Sequence, residues 1–261
     1  MGVLNITPDS FSDGGLFFEA QSAIDQAVLM VEQGADIIDI GGESTRPGAP
    51  EVSAEDELKR VLPVIEALSG NIDVPISIDT SKPVVMRRAF DAGASIINDV
   101  YALRSEGALE MAASLGADVC LMHMQGNPRT MQKNPKYDDV VSDVKNFFIE
   151  RLEACSGVGI KLESITLDPG FGFGKNLAHN IALLKNLAEF HDFGVSILAG
   201  LSRKSMIGSL LGDKEVDSRM IGSVTAALIA VENGANIIRA HDVAETKDAL
   251  TVWQQIKHFR E

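Results

Sequence analysis

One short phrase recurs along the 261-residue chain and limits what it can fold into. Gly34-Ala35-Asp36-Ile37-Ile38-Asp39 returns as Gly93-Ala94-Ser95-Ile96-Ile97-Asn98 and as Gly234-Ala235-Asn236-Ile237-Ile238-Arg239, and Gly116-Ala117-Asp118-Val119 is a weaker copy. Each copy follows an amphipathic stretch, such as residues 20–33 or 218–233. The physical reading is a helix that ends at a glycine in the left-handed cap conformation, with a short β-branched strand directly after it.

Other strands lack the glycine lead-in: Pro75 to Asp79, Ser164 to Asp168 and Val195 to Gly200. With the opening run they give eight predicted strands, near 2–6, 35–41, 75–79, 94–99, 118–123, 164–168, 195–200 and 235–240. Helical patterns separate them all. Strands too apolar for a solvated face, alternating with helices, argue for a parallel sheet covered by helices. Eight units in a chain of this length suit a single-domain (β/α)8 TIM barrel, with a doubly wound open sheet as the alternative. No linker, low-complexity segment or charge block divides residues 1–261. The first strand starts at the first residue, whereas barrels usually carry a closing segment before it. A few further N-terminal residues are therefore expected in the natural protein.

Apolar residues make up 45% of the chain, enough for a large core, and the formal charge is −14. So acidic a chain is poorly suited to nucleic acid or a membrane surface, both polyanions, and an anionic substrate needs a local cluster of cations. No run of about 18 apolar residues suggests a transmembrane helix, and no signal peptide is visible. A cytoplasmic location is the expectation, which discounts the glycosylation sequon Asn5-Ile6-Thr7. Cys120 and Cys155 both lie in core-type patterns, so two reduced thiols are expected.

In such a barrel the chemistry sits at the C-terminal strand ends and in the loops that follow. Those ends are polar nearly throughout: Asn5, Asp39, Asp79, Asn98 with Asp99, His123, Asp168, Ser202 to Ser205, Arg239 and His241. Any one of them could be a cap, but a whole ring of unpaired buried carboxylates would be expensive without a function. Cations sit at Arg46, Lys204 and Arg239, with His241 close by, and Ser205 opens a short helical pattern to Leu211. The stretch "GFGFGKN", residues 170–176, fails the phosphate-loop pattern at Pro169 and Asn176 and reads as a tight turn. His123 has no second ligand at metal spacing. The first loop, "NITPDSFSDGG", and the second, "GGESTRPG", carry few apolar residues of their own.

The segments "MGVLNITPDSFSDGG", "DIGGESTRPGA", "SIDTSKP", "IINDV", "CLMHMQGNPRTMQ", "LDPGFGFGK", "GLSRKSMIG" and "IIRAHDV", in this order, resemble the dihydropteroate synthase family of pterin-binding barrels. The likeness runs from Met1 to about residue 250. It implies a transferase of folate biosynthesis that joins 6-hydroxymethyl-7,8-dihydropterin diphosphate to p-aminobenzoate, with diphosphate leaving first to give a cationic pterin that the arylamine attacks. It further implies that Asp79, Asn98, Met122, Asp168 and Lys204 hold the pterin, and that Asn5, Thr45, Arg239 and His241 meet the diphosphate. Phe11, Arg46, Pro47 and Ser205 would form the p-aminobenzoate pocket. Asp79, Asp168, Lys204 and Asp13 would act in catalysis, and Asn5 would ligate Mg2+. Sulfonamides are expected as competitors, and a homodimer through helices near the later strands is expected from the family. The two bare loops would act as a lid assembled by the diphosphate, so that p-aminobenzoate binds second. Two rivals share the pterin pocket. A methyltransferase using methyltetrahydrofolate would leave Thr45, Arg46, Lys204, Arg239 and His241 without purpose, and a non-catalytic pterin binder would not need the first loop.

Overall fold

The computed structural model describes residues 1–6, 15–46 and 48–259. Its strands are β1 (Gly2–Asn5), β2 (Ile38–Gly41), β3 (Ile76–Asp79), β4 (Ile96–Asp99), β5 (Asp118–Met122), β6 (Ile165–Asp168), β7 (Ser196–Ala199) and β8 (Ile237–Ile238). Each pairs in parallel with the next in chain order. A parallel bridge from Gly2 to Ala240 returns the last strand to the first, with Val3 N donating to Ala240 O at 3.1 Å and Ala240 N to Met1 O at 3.0 Å. The sheet therefore closes into a TIM barrel, and the open doubly wound alternative falls away, because its end strands would stay unpaired.

The helices are α1 (Gly15–Glu32), α2 (Ala54–Leu68), α3 (Pro83–Asp91), α4 (Ala108–Leu115), α5 (Val140–Gly157), α6 (Leu177–Lys185), α7 (Ser205–Leu210), α8 (Met220–Glu232) and α9 (Val243–Lys257). The short α7 is an addition within the β7 to β8 crossover. No helix among the described residues is long and apolar enough to cross a membrane.

The recurring phrase is a helix cap. Gly34, Gly93, Gly116 and Gly234 all have positive φ. The next alanine then donates back five residues: Ala35 to Met30, Ala94 to Ala89, Ala117 to Ala112 and Ala235 to Ala230, at 2.8–3.3 Å. This is the six-to-one bond of the Schellman motif. It explains why three of these strands start two or three residues later than the repeat suggests: Gly-Ala belongs to the cap. Gly159-Ile160 is a further copy, with Ile160 N donating to Cys155 O at 3.0 Å, hidden in the sequence because a 3-10 turn at Leu162–Ser164 separates it from β6.

Side chains alternate along each strand. Ile38, Ile40, Ile78 and Ile97 are fully buried in one continuous core with Val61, Ile65 and Met86 of the surrounding helices. Each contributes about 1.5–3 kcal/mol of transfer free energy. The alternate positions, Asp39, Ser77, Asp79 and Asn98, face the barrel interior, where Asp39 bonds both Ser77 and Asn98. Cys120 and Cys155 are buried free thiols.

Candidate active site

The polar interior residues form one connected network at the C-terminal rim. The Asp39 side chain is fully buried. Its Oδ1 accepts from Ser77 Oγ at 2.6 Å, and its Oδ2 accepts from Asn98 Nδ2 at 3.0 Å and Arg239 Nε at 2.6 Å. Arg239 Nη2 continues the chain to Asp79 Oδ2 at 2.9 Å. Four strand ends, from β2, β3, β4 and β8, are thus tied together. Burial pushes the Asp79 carboxyl up, while Arg239 pulls it back down. For Arg239 burial works against the charge, but Asp39 and Asp79 outweigh it. With Asn98 Nδ2 donating to Asp39, the amide oxygen is the side chain's acceptor atom.

Across the rim stand Asp168 and Lys204. Asp168 Oδ1 accepts from Gly170 N at 2.8 Å. Burial raises the Asp168 carboxyl against the pull of Lys204, and burial lowers the Lys204 ammonium to about 8 against the pull of Asp168. Lys204 Nζ donates to the Phe171 carbonyl and lies 4.6 Å above the Phe173 ring. Met122 belongs to a small apolar cluster separate from the main core, formed with Val100, Met124 and Met131 and flanked by Tyr101 and Phe173. It supplies an apolar surface at the end of β5, beside the polar rim.

The β7 and β8 loops are cross-linked by two pairs. His241 N and Nδ1 both lie 3.1 Å from Ser202 Oγ, and Arg203 donates to both oxygens of Asp242, at 3.1 and 2.5 Å. Burial, with help from Arg239, lowers the His241 imidazole to about 4, so it is neutral in the free protein. Ser205 is exposed as the first residue of α7, with Lys204 in the cap position before it.

The second loop is anchored, which its bare sequence conceals. Arg60 Nη1 donates to Gly42 O at 2.7 Å, and Glu43 accepts from Val52 N at 3.1 Å, joining both ends of the loop. Lys82 then bridges Glu43 to Glu57, whose carboxylate lies 2.6 Å away with no exposed surface. Above this base, Thr45 shares a cavity of about 600 Å³ with Asp79, Thr80, Val100 and Tyr101, while Arg46 is exposed. Phe11, Asp13 and Pro47 lie outside the described residues.

Among the described residues no three His, Cys, Asp or Glu side chains converge to hold a metal. Asn5 ends β1 next to Gly41, where an added Cβ would lie 3.6 Å from Asn5 Oδ1 and 3.7 Å from Asp79 Oδ2. The Asn5 amide oxygen is a hard donor. It fits Mg2+, which keeps waters and substrate phosphates as its other ligands. His123 is turned away from such a role: its Nδ1 meets Lys175 Nζ at 2.9 Å. Asp99, raised by burial to about 6, caps its own loop by accepting from Tyr101 N and Leu103 N, both at 2.8 Å.

The arrangement offers buried acceptors and one lysine for a flat heterocycle, with cationic groups at one side for an anion. Comparison with known proteins agrees with that chemistry. Residues 1–241 match the family described as pterin binding enzyme. The dihydropteroate synthase of Escherichia coli (strain K12) is 58% identical over 254 residues, 97% of this chain and 89% of that protein. The Xanthomonas albilineans dihydropteroate synthase solved with 4-aminobenzoic acid superposes with a TM-score of 0.94 at 50% identity, covering 100% of this chain and 93% of that one. The Yersinia pestis dihydropteroate synthase, solved as a sulfonamide drug complex, also gives 0.94, at 52% identity, covering 99% and 94%. The chain belongs to the pterin-binding enzyme family, and within it to the dihydropteroate synthases.

Proposed function

We propose that the chain condenses 6-hydroxymethyl-7,8-dihydropterin diphosphate with p-aminobenzoate to give 7,8-dihydropteroate and diphosphate. The observation that carries this reading is the rim itself: Asp79, Asn98, Asp168 and Lys204 around a barrel mouth, with Arg239 held between Asp39 and Asp79.

The pterin edge has an amino group and ring N–H donors, which suit Asp168 and the Asn98 amide oxygen, and one carbonyl, which suits the Lys204 ammonium. Met122 would pack on the ring face. Thr45, Arg239 and His241, together with Asn5, would meet the diphosphate. Arg239 carries a charge already fixed in place by two carboxylates, so it neutralises the leaving group without reorganising. Asn5 would hold Mg2+, which when bound supplies further charge neutralisation on the diphosphate. Departure of diphosphate leaves the exocyclic methylene cationic, and Asp79 and Asp168, in their ionised forms, would stabilise that charge. The lone pair of the arylamine nitrogen then forms the new C–N bond, and one of the nitrogen's two protons passes to water. Asp13 remains our candidate for the group facing the amine, and Phe11, Arg46, Pro47 and Ser205 for its pocket.

Ordered binding with p-aminobenzoate second follows if the first two loops close over the diphosphate, which also shields the cation from water. Sulfonamides, as mimics of p-aminobenzoate, should compete with it. Exposed Leu210, Ile221, Ile229, Val252 and Ile256 on α7, α8 and α9 support a homodimer through that face, to be tested by sedimentation. Two free thiols suit a cytoplasmic setting.

The test is a product balance. With both substrates and Mg2+, one dihydropteroate should form per diphosphate released. A methyltransferase or a pterin-binding protein without catalysis would release none.

A further inference from the structure

We propose that Lys175 is a positioning residue for Lys204. The loop from Gly170 to Lys175 connects β6 to α6, and its three glycines, Gly170, Gly172 and Gly174, all have positive φ, at 71°, 82° and 60°. Lys175 folds back beneath this loop and is 3% exposed. Its Nζ lies 2.9 Å from Gly170 O, 3.0 Å from Phe173 O and 2.9 Å from His123 Nδ1. His123 O, at 3.3 Å, is a fourth and longer neighbour, and the three shorter contacts match the three positions on the nitrogen beyond its carbon. Among the described residues no carboxylate lies within ion-pair distance of it. Burying an amine so deeply costs several kcal/mol, roughly, unless its hydrogen bonds are met. Here they are met by the loop and by the end of β5. The closure is tight: a Cβ on Gly170 would lie 1.9 Å from His123 O.

Lys204 reaches the same loop from the side of the rim. Its Nζ donates to Phe171 O and stands over the Phe173 ring, and its Cδ would lie 3.2 Å from a Cβ on Gly172. The carbonyls of residues 170 and 173 therefore turn to Lys175, and of the two between them that of 171 turns to Lys204 and that of 172 to Gln132. Phe173 serves both lysines, through its carbonyl below and its ring above. Gly170 N also holds Asp168 Oδ1 at 2.8 Å. Without the Lys175 amine Phe173 O loses its donor and Gly170 O keeps only Phe173 N, at 3.1 Å, so the loop that seats Lys204 is held less firmly. A methionine in its place would fill the space and supply none of these bonds, so packing and positioning are separable.

The proposal rests on the reading that Lys204 contacts the pterin. The test is a double-mutant cycle read as the affinity for 6-hydroxymethylpterin by calorimetry, on folded wild type, Lys175→Met, Lys204→Met and the double variant. Lys175→Met should weaken binding at least tenfold in the wild-type background and less than twofold in the Lys204→Met background. A structural defect alone would weaken binding equally in both, and that result, or an unchanged affinity in Lys175→Met, would overturn the proposal while leaving the role of Lys204 intact. If Lys204→Met itself binds normally, the reading of Lys204 fails and the proposal falls with it. Should Lys175→Met not fold, Lys175→Arg keeps a charged donor with altered reach. It should show the same loss confined to the background that retains Lys204, and equal losses in both backgrounds would again overturn the proposal.

Discussion

Arg239 Nε donates to Asp39 Oδ2 at 2.6 Å, and this one contact ties the closing strand of the barrel to the second. The same oxygen accepts from Asn98 Nδ2, so a single buried carboxylate orients two residues of the candidate site. Asp39 itself touches the site only through them.

Asp39→Asn should therefore destabilise the fold and disturb pterin binding together. Arg239 keeps Asp79 at 2.9 Å as a second carboxylate, so the loss should fall short of the cost of an uncompensated buried charge and lie at about 1–3 kcal/mol, the cost of leaving buried donors poorly met. Urea unfolding should show a loss of that size. A loss below about 1 kcal/mol would mean that Arg239 and Asn98 are held by other groups.

The Lys204 ammonium is depressed to about 8 in the free protein. Below that pH the lysine is charged and can donate to the pterin carbonyl; above it the charge is lost. Pterin affinity should fall as pH rises through about 8, and bound pterin should move the transition to higher pH. Fluorescence titration between pH 7 and 9.5 reads this directly. The dependence should vanish in Lys204→Met, and its persistence there would assign it to the ligand's own titration.

His123 makes a stability prediction of the same sign as a carboxylate whose pKa folding lowers. Burial, with Lys175 beside it, lowers its imidazole to about 2, so it stays neutral when folded but protonates when unfolded below the usual 6.5. The unfolded state then binds more protons, and stability is lost as pH falls below about 6.5, by about 1.4 kcal/mol per unit from this group. His123→Asn, which keeps an acceptor for Lys175, should lack that slope. Urea melts at pH 7, 6 and 5 should show wild type and variant converging. A constant gap would remove His123 as the cause.

Much of the fold was legible because its signals are local. A Gly-Ala cap and a β-branched run lie within six residues, so the repeat announced the helix-to-strand junctions, and the acidic or amide residue that ends a strand marked Asp79, Asn98 and Asp168. What stayed hidden depends on partners far away in sequence. Asp39 was visible as a strand-end polar group, but its partners lie 38, 59 and 200 positions away. Lys175 stood in a glycine-rich stretch that reads as a turn, and its partner His123 is 52 positions off. The anchored base of the second loop escaped for the same reason, since Glu43 meets Lys82 from 39 positions away. Closure between the first and last strands likewise has no local signal.

Asp168 is the most direct probe of pterin binding by the buried groups at the strand ends, because Asn keeps its size while replacing one acceptor with a donor. Calorimetric titration of Asp168→Asn with 6-hydroxymethylpterin should give an affinity about ten- to a hundredfold below wild type, the loss of one charge-assisted hydrogen bond worth about 1.5–3 kcal/mol. An affinity equal to that of wild type, in a variant that melts normally, would contradict the account.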